Sequence, residues 1–148
     1  MADKVLYITN NTPLDTNNVP AVICNNIDTL NAHIENCHKT DTAVFIENDI
    51  SAIDNADGIY FSESIKLKDF KQIRKSNPDL QMIVKCETRH DGILYAEAGA
   101  DLIVFTGDDD EVGEIVSWWI GIIEIPVAVI GENSASKSAD FIILATNT

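Results

Sequence analysis

Asn55-Ala56-Asp57-Gly58-Ile59-Tyr60-Phe61 decides the fold: a short polar turn runs into apolar residues over the length of a strand. The pattern returns as Gly99-Ala100-Asp101 before Leu102-Ile103-Val104-Phe105, and again as Ser138-Ala139-Asp140 before Phe141-Ile142-Ile143-Leu144. The three aspartates stand 44 and 39 residues apart, about two strand-plus-helix units per step. A strand that is apolar at consecutive positions must be covered on both faces, as in a parallel sheet.

Further apolar runs at Val5–Ile8, Ala21–Cys24, Ala43–Glu47, Met82–Cys86 and Val127–Ile130 bring the candidate strands to eight. Helical stripes lie between some of them. Ile27, Leu30, Ile34 and Cys37 form one; Leu67, Phe70 and Ile73 form another, stopped by Asn77-Pro78. Residues 89–98 run into Gly99 as a C-terminal cap, and the longest stripe, Val112 to Ile123, ends before Pro126. Residues 9–20, 48–57 and 131–139 are too short or too rich in turn formers for a packed helix. Strands alternating with helices indicate a parallel α/β fold. The expectation is a single domain over residues 1–148: a trimmed (β/α)8 TIM barrel lacking several outer helices. The alternative is an open flavodoxin-like sheet, which suits the length because it needs fewer strands.

Composition narrows the function classes. The chain carries 24 acidic and 10 basic residues, a net charge of −14, so no nucleic acid or anionic membrane is expected as a partner. No apolar stretch approaches the ~20 residues of a membrane span, and Met1-Ala2-Asp3-Lys4 does not read as a signal peptide. Cys24, Cys37 and Cys86 are odd in number and widely spaced, which fits buried thiols in a reducing, cytoplasmic setting.

Several segments in fixed order resemble the thiamine phosphate synthase (TenI-like) family of (β/α)8 barrels. They are Phe45-Ile46-Glu47-Asn48-Asp49, Ala56-Asp57-Gly58-Ile59-Tyr60-Phe61, Ala96-Glu97-Ala98-Gly99-Ala100-Asp101, Ile125-Pro126-Val127-Ala128-Val129-Ile130-Gly131 and Ala139-Asp140. The likeness covers residues 43–145, and it favours the barrel over the open sheet. It implies a transferase of thiamine biosynthesis that joins a pyrimidine diphosphate to a thiazole phosphate with Mg²⁺. By position, Asn48-Asp49 matches the family's Asn-Asp pair, making Asp49 the implied metal ligand. The second metal carboxylate falls near Ile65, with Glu63 the nearest acid, and the serine ending strand five becomes Lys85. The diphosphate-gripping Thr-x-Thr-Lys is replaced by Gly107-Asp108-Asp109-Asp110, the Gly-Gly phosphate cradle by Gly131-Glu132, while Thr146 keeps a hydroxyl. These departures lead to the expectation of a divergent barrel without synthase activity, holding at most a degenerate site for Mg²⁺ and a small phosphorylated ligand. An active synthase is the alternative.

In a parallel barrel the functional mouth is lined from the C-terminal strand ends. Here those positions include Asn10, Asn25, Glu47, Asp49, Glu63, Lys85, Glu87, Asp108 and Glu132. Asn48, Glu63 and Thr146 are the candidate ligand-binding residues, Asp49 the candidate metal ligand and Lys85 the candidate catalytic residue. Lys85 interrupts an apolar strand, so it needs a carboxylate partner such as Glu47 or Glu87, or else serves as an amine nucleophile. His33, His38 and His90 lack metal-binding spacing. Trp119 belongs to the apolar stripe, which leaves Trp118 as an exposed aromatic. Short connections around strands seven, eight and one leave greasy outer faces, so a homodimer closing over the strand 8/strand 1 side is expected.

Overall fold

Eight parallel strands close into a barrel in sequence order, β1 to β8, with β8 pairing back onto β1. The computed structural model describes residues 5–9, 16, 18–131 and 135–145. The strands are β1 Val5–Thr9, β2 Ala21–Cys24, β3 Ala43–Glu47, β4 Gly58–Phe61, β5 Gln81–Cys86, β6 Leu102–Phe105, β7 Val127–Ile130 and β8 Phe141–Ala145. Each of the eight apolar runs forms a strand because barrel closure buries both faces. The trimmed TIM barrel expected from sequence is the observed fold, and the open sheet is excluded by the β1–β8 ladder, Val5 opposite Ile142 through Ile8 opposite Ala145.

Two apolar layers follow from the strand alternation. Leu6, Ile23, Phe45, Tyr60, Ile83 and Val104 pack inside the barrel. Val22, Val44, Ile59, Met82, Ile103 and Val129 face outward, under the helices. Among the described residues four α-helices supply that cover: α1 Leu30–His38 after β2, α2 Leu67–Ser76 after β4, α3 Arg89–Glu97 after β5 and α4 Asp109–Ile122 after β6. A 3-10 turn, Ile50–Asn55, follows β3 where a full barrel has a helix. Residues 135–140, before β8, form only turns and bends.

Helix ends match their sequence signals. Asp109, Asp110 and Glu111 occupy the first turn of α4, where the helix dipole favours negative charge. Gly99 follows α3 at φ +112°, a conformation that disfavours side chains, and an added Cβ would meet Arg74 Cδ at 2.6 Å.

The repeated aspartate has a structural explanation. Asp57 donates its N–H to Val44 O at 2.8 Å, and its carboxylate accepts Val44 N–H at 2.8 Å. Asp101 repeats this with Met82, both bonds 2.8 Å, and Asp140 with Val127, both 2.9 Å. Each even strand from β4 on is thus stapled at its entrance to the strand before it. The echo at two-unit spacing therefore marks the N-terminal face of the barrel, opposite the mouth. His38 Nε2 lies 2.9 Å from Asp57 Oδ2, and Arg74 Nη1 lies 3.1 Å from Asp101 Oδ2, tying α1 and α2 to the staples.

One expectation meets different surroundings. Trp118 is half-buried rather than exposed: it packs against the outer core, and the Arg89 guanidinium stands 5.1 Å from its ring. A helical wheel places residues relative to their own helix axis and does not contain α3, which supplies that arginine. On the β8–β1 seam, Val5 and Ile142 are 6% and 7% exposed, with Tyr7 and Leu144 half-buried. The Asn-rich segment 10–15 lies outside the described residues.

Candidate functional site

The mouth is most fully described where β3, β4 and β5 end. Asn48, directly after β3, adopts φ +60°, a left-handed conformation that asparagine tolerates better than most residues. The bend aims its side chain across to the next strand. Its Oδ1 accepts the N–H groups of Ser62 at 3.0 Å and Glu63 at 3.2 Å, and its Nδ2 donates to Ser62 Oγ at 2.8 Å. The Ser62 hydroxyl in turn donates to Glu47 Oε2. Asn48 N–H reaches Tyr60 O at 2.8 Å. One asparagine thus fixes the exit of β4 against that of β3.

Asp49 is the N-cap of the Ile50–Asn55 turn: its Oδ1 accepts Ser51 N–H at 3.0 Å and the Ser51 hydroxyl. Glu63 is exposed, and Asn48 meets it through the main chain. Among the described residues no group of three or more His, Cys, Asp and Glu side chains is placed to hold a metal ion.

Lys85 follows Ile83 on the inner face of β5 and is half-buried. The salt bridges among the described residues are His38–Asp57 and Arg74–Asp101, so Lys85 has no carboxylate within 4.0 Å there. The expected partners Glu47 and Glu87 are not at ion-pair distance. Ser62, just past the end of β4, stands beside it, because Phe61 pairs with Val84 and each is followed by one of the two.

Beside this row lies a cavity of about 510 Å³, walled by the loop after β4, the end of β5 and the start of α3. Ser62, Ser64 and Thr88 bring hydroxyls, Lys85 the amine, and Glu63, Glu87 and Asp91 carboxylates. Thr88 caps α3 by accepting Asp91 N–H at 3.1 Å. Tyr95 at the back donates to Ile65 O, holding the loop against α3; burial raises its hydroxyl pKa, with Cys86 and Asp91 adding to the effect. Burial, then Asp91, pushes the Cys86 thiol up to about 12, leaving it protonated and inert at neutral pH.

The structure therefore brings together Asn48, Glu63 and Lys85 from the sequence candidates and sets Asp49 into its own turn. Thr146, Asn10 and Glu132 lie outside the described residues. Ser62 was not anticipated; a lone serine after a strand carries no pattern, and only the Asn48–Ser62–Glu47 contacts reveal it.

No protein-family model matches the sequence, and no curated protein matches it. Solved structures do resemble the fold. A thiamine phosphate pyrophosphorylase from Pyrococcus furiosus superposes with a TM-score of 0.74 at 13% identity, covering 97% of this chain and 86% of that one. A glycerol uptake operon antiterminator regulatory protein from Listeria monocytogenes gives 0.62 at 15% identity, with 97% and 92% covered. A native KDPGal structure gives 0.66 at 9% identity, with 97% and 82% covered. At these identities the likeness is one of fold, shared by proteins of different roles. Among the described residues no helix is long and apolar enough to cross a membrane.

Proposed function

We propose that this chain is a divergent thiamine phosphate synthase-like barrel that no longer performs the synthase reaction and keeps a small-ligand pocket where β4, β5 and α3 meet. The carrying observation is the engagement of the Asn48-Asp49 pair. Asn48 is committed to the Ser62 and Glu63 main chain, and the Asp49 carboxylate to Ser51. Mg²⁺ usually keeps several waters and takes one or two carboxylates together with substrate phosphates. Here, among the described residues, it would have one Asp49 oxygen and water, since Oδ1 already serves Ser51 and no metal-holding group of His, Cys, Asp and Glu side chains forms there.

Charge argues the same way. The pocket sets Lys85 against Glu63, Glu87 and Asp91, so a phosphorylated ligand meets more repulsion than attraction unless a divalent cation shields it. The diphosphate of a synthase substrate would carry the most charge into the least favourable field.

A thermal-shift panel with Mg²⁺, thiazole phosphate and pyrimidine diphosphate, singly and together, tests the proposal. A ligand present at 100 times its Kd should stabilise the fold by about 2.7 kcal/mol. The expected result is no cooperative shift from Mg²⁺ with the diphosphate. A large shift requiring both, and lost in Asp49→Ala, would overturn it.

A further inference from the structure

We propose that Lys85 captures small uncharged carbonyl compounds, such as short hydroxy-aldehydes, as an imine; this rests on the ligand pocket read above. Three observations converge. Lys85 is the lysine on the inner face of a barrel strand, half-buried and without a carboxylate within 4.0 Å among the described residues. It opens onto a cavity of about 510 Å³, ample for a molecule of a few carbons. Ser62 stands abreast of it, its hydroxyl oriented by accepting from Asn48 Nδ2 at 2.8 Å and donating to Glu47, so its remaining lone pair is held in place to accept from a ligand hydroxyl.

The remaining wall selects the ligand's charge. Glu63, Glu87 and Asp91 repel phosphates and carboxylates but accept hydrogen bonds from hydroxyl groups, as do Ser64 and Thr88. A neutral hydroxy-aldehyde meets acceptors along its length and the amine at its electrophilic carbon. The chemistry balances without a cofactor. The Lys85 ammonium gives one proton to water, and Nζ forms a bond to the carbonyl carbon. The two remaining N–H protons leave with the carbonyl oxygen as water, and a C=N bond remains.

The test is reductive trapping on the full chain with glyceraldehyde and cyanoborohydride, followed by peptide mass mapping of every lysine. The expected result is labelling at Lys85 several-fold above the exposed Lys68, Lys71 and Lys75. Pyruvate, an anionic carbonyl of similar size, should label Lys85 several-fold less than glyceraldehyde does. Lys85→Arg should remove the label there and leave the others unchanged; the wild-type site ratio needs no variant and stands if this one fails to fold. Labelling of Lys85 no greater than that of the exposed lysines would overturn the inference. Equal labelling by pyruvate would overturn the charge selection. Neither result alters the ligand panel above, which tests the loss of synthase chemistry separately.

Discussion

Asp57, Asp101 and Asp140 show how far a single residue's role can be read from sequence. Their recurrence was plain, but as a turn ahead of a strand; the N–H each carboxylate accepts comes from a residue 13 or 19 positions earlier, which no local pattern contains. Asp101→Ala leaves the Met82 N–H and the Arg74 guanidinium without this acceptor, so a loss of about 1–3 kcal/mol is expected in urea unfolding. Asp101→Asn keeps an acceptor oxygen and should lose clearly less; equal losses would show that the staple contributes nothing. The buried thiols carry a pH signature. Burial, followed by Asp57 and Cys24, pushes Cys37 up to about 11, and Cys86 reaches about 12, both from 9.0 in the unfolded chain. The folded state holds these protons more tightly, so their stabilising share is full below pH 9 and lost as pH rises toward 11 and 12. Urea midpoints should fall over that window, with a shallower slope in Cys86→Ala. An unchanged slope in the variant would rule out this thiol as a source. Lys85 was legible because a charge inside an apolar strand breaks the pattern. Its lack of a carboxylate partner among the described residues was not, since that depends on where the strand ends and α3 place their acids.

At the scale of elements, the strands were legible because double-sided burial writes itself as uninterrupted apolar runs. Among the described residues, α1, α2 and α4 were legible from their stripes and α3 from the glycine that ends it. Residues 48–57 were read only as unable to hold a packed helix, and the cap of the Ile50–Asn55 turn by Asp49 depends on a bend at Asn48 that composition does not encode. The longest helix shows what holds the outer layer. Trp119 of α4 is fully buried, packs edge-on to Phe105 with ring centres 5.2 Å apart, and donates Nε1–H to Ile125 O at 2.8 Å. Trp119→Ala should cost about 3–5 kcal/mol, the range for removing a buried aromatic. Trp119→Phe retains ring packing but leaves the Ile125 carbonyl without that donor, so an intermediate loss is expected. If both variants unfold at the wild-type urea concentration, α4 does not depend on this anchor.

For the whole molecule, closure without a full ring of helices raises the question of what shields the β8–β1 seam. The two-fold partner expected from the short connections remains the proposal for that cover, beside a chain in which Val5 and Ile142 are themselves buried. Light scattering at micromolar concentration should give about twice the chain mass of 16.3 kDa; 16.3 kDa itself would show a chain that covers its own seam. The mouth sits on a fold like that of a thiamine phosphate pyrophosphorylase, with Asn48 engaged across to Ser62 and Asp49 with Ser51 in its own turn. Losing even one stabiliser of developing charge commonly costs ~10²–10³ in rate, and under the proposed synthase-like reading the diphosphate grip and the second metal carboxylate are both replaced. The direct measurement is a coupled assay of thiamine phosphate formation from pyrimidine diphosphate and thiazole phosphate with Mg²⁺. The expected result is no turnover above the protein-free control. Robust synthesis that disappears in Asp49→Ala would contradict the account.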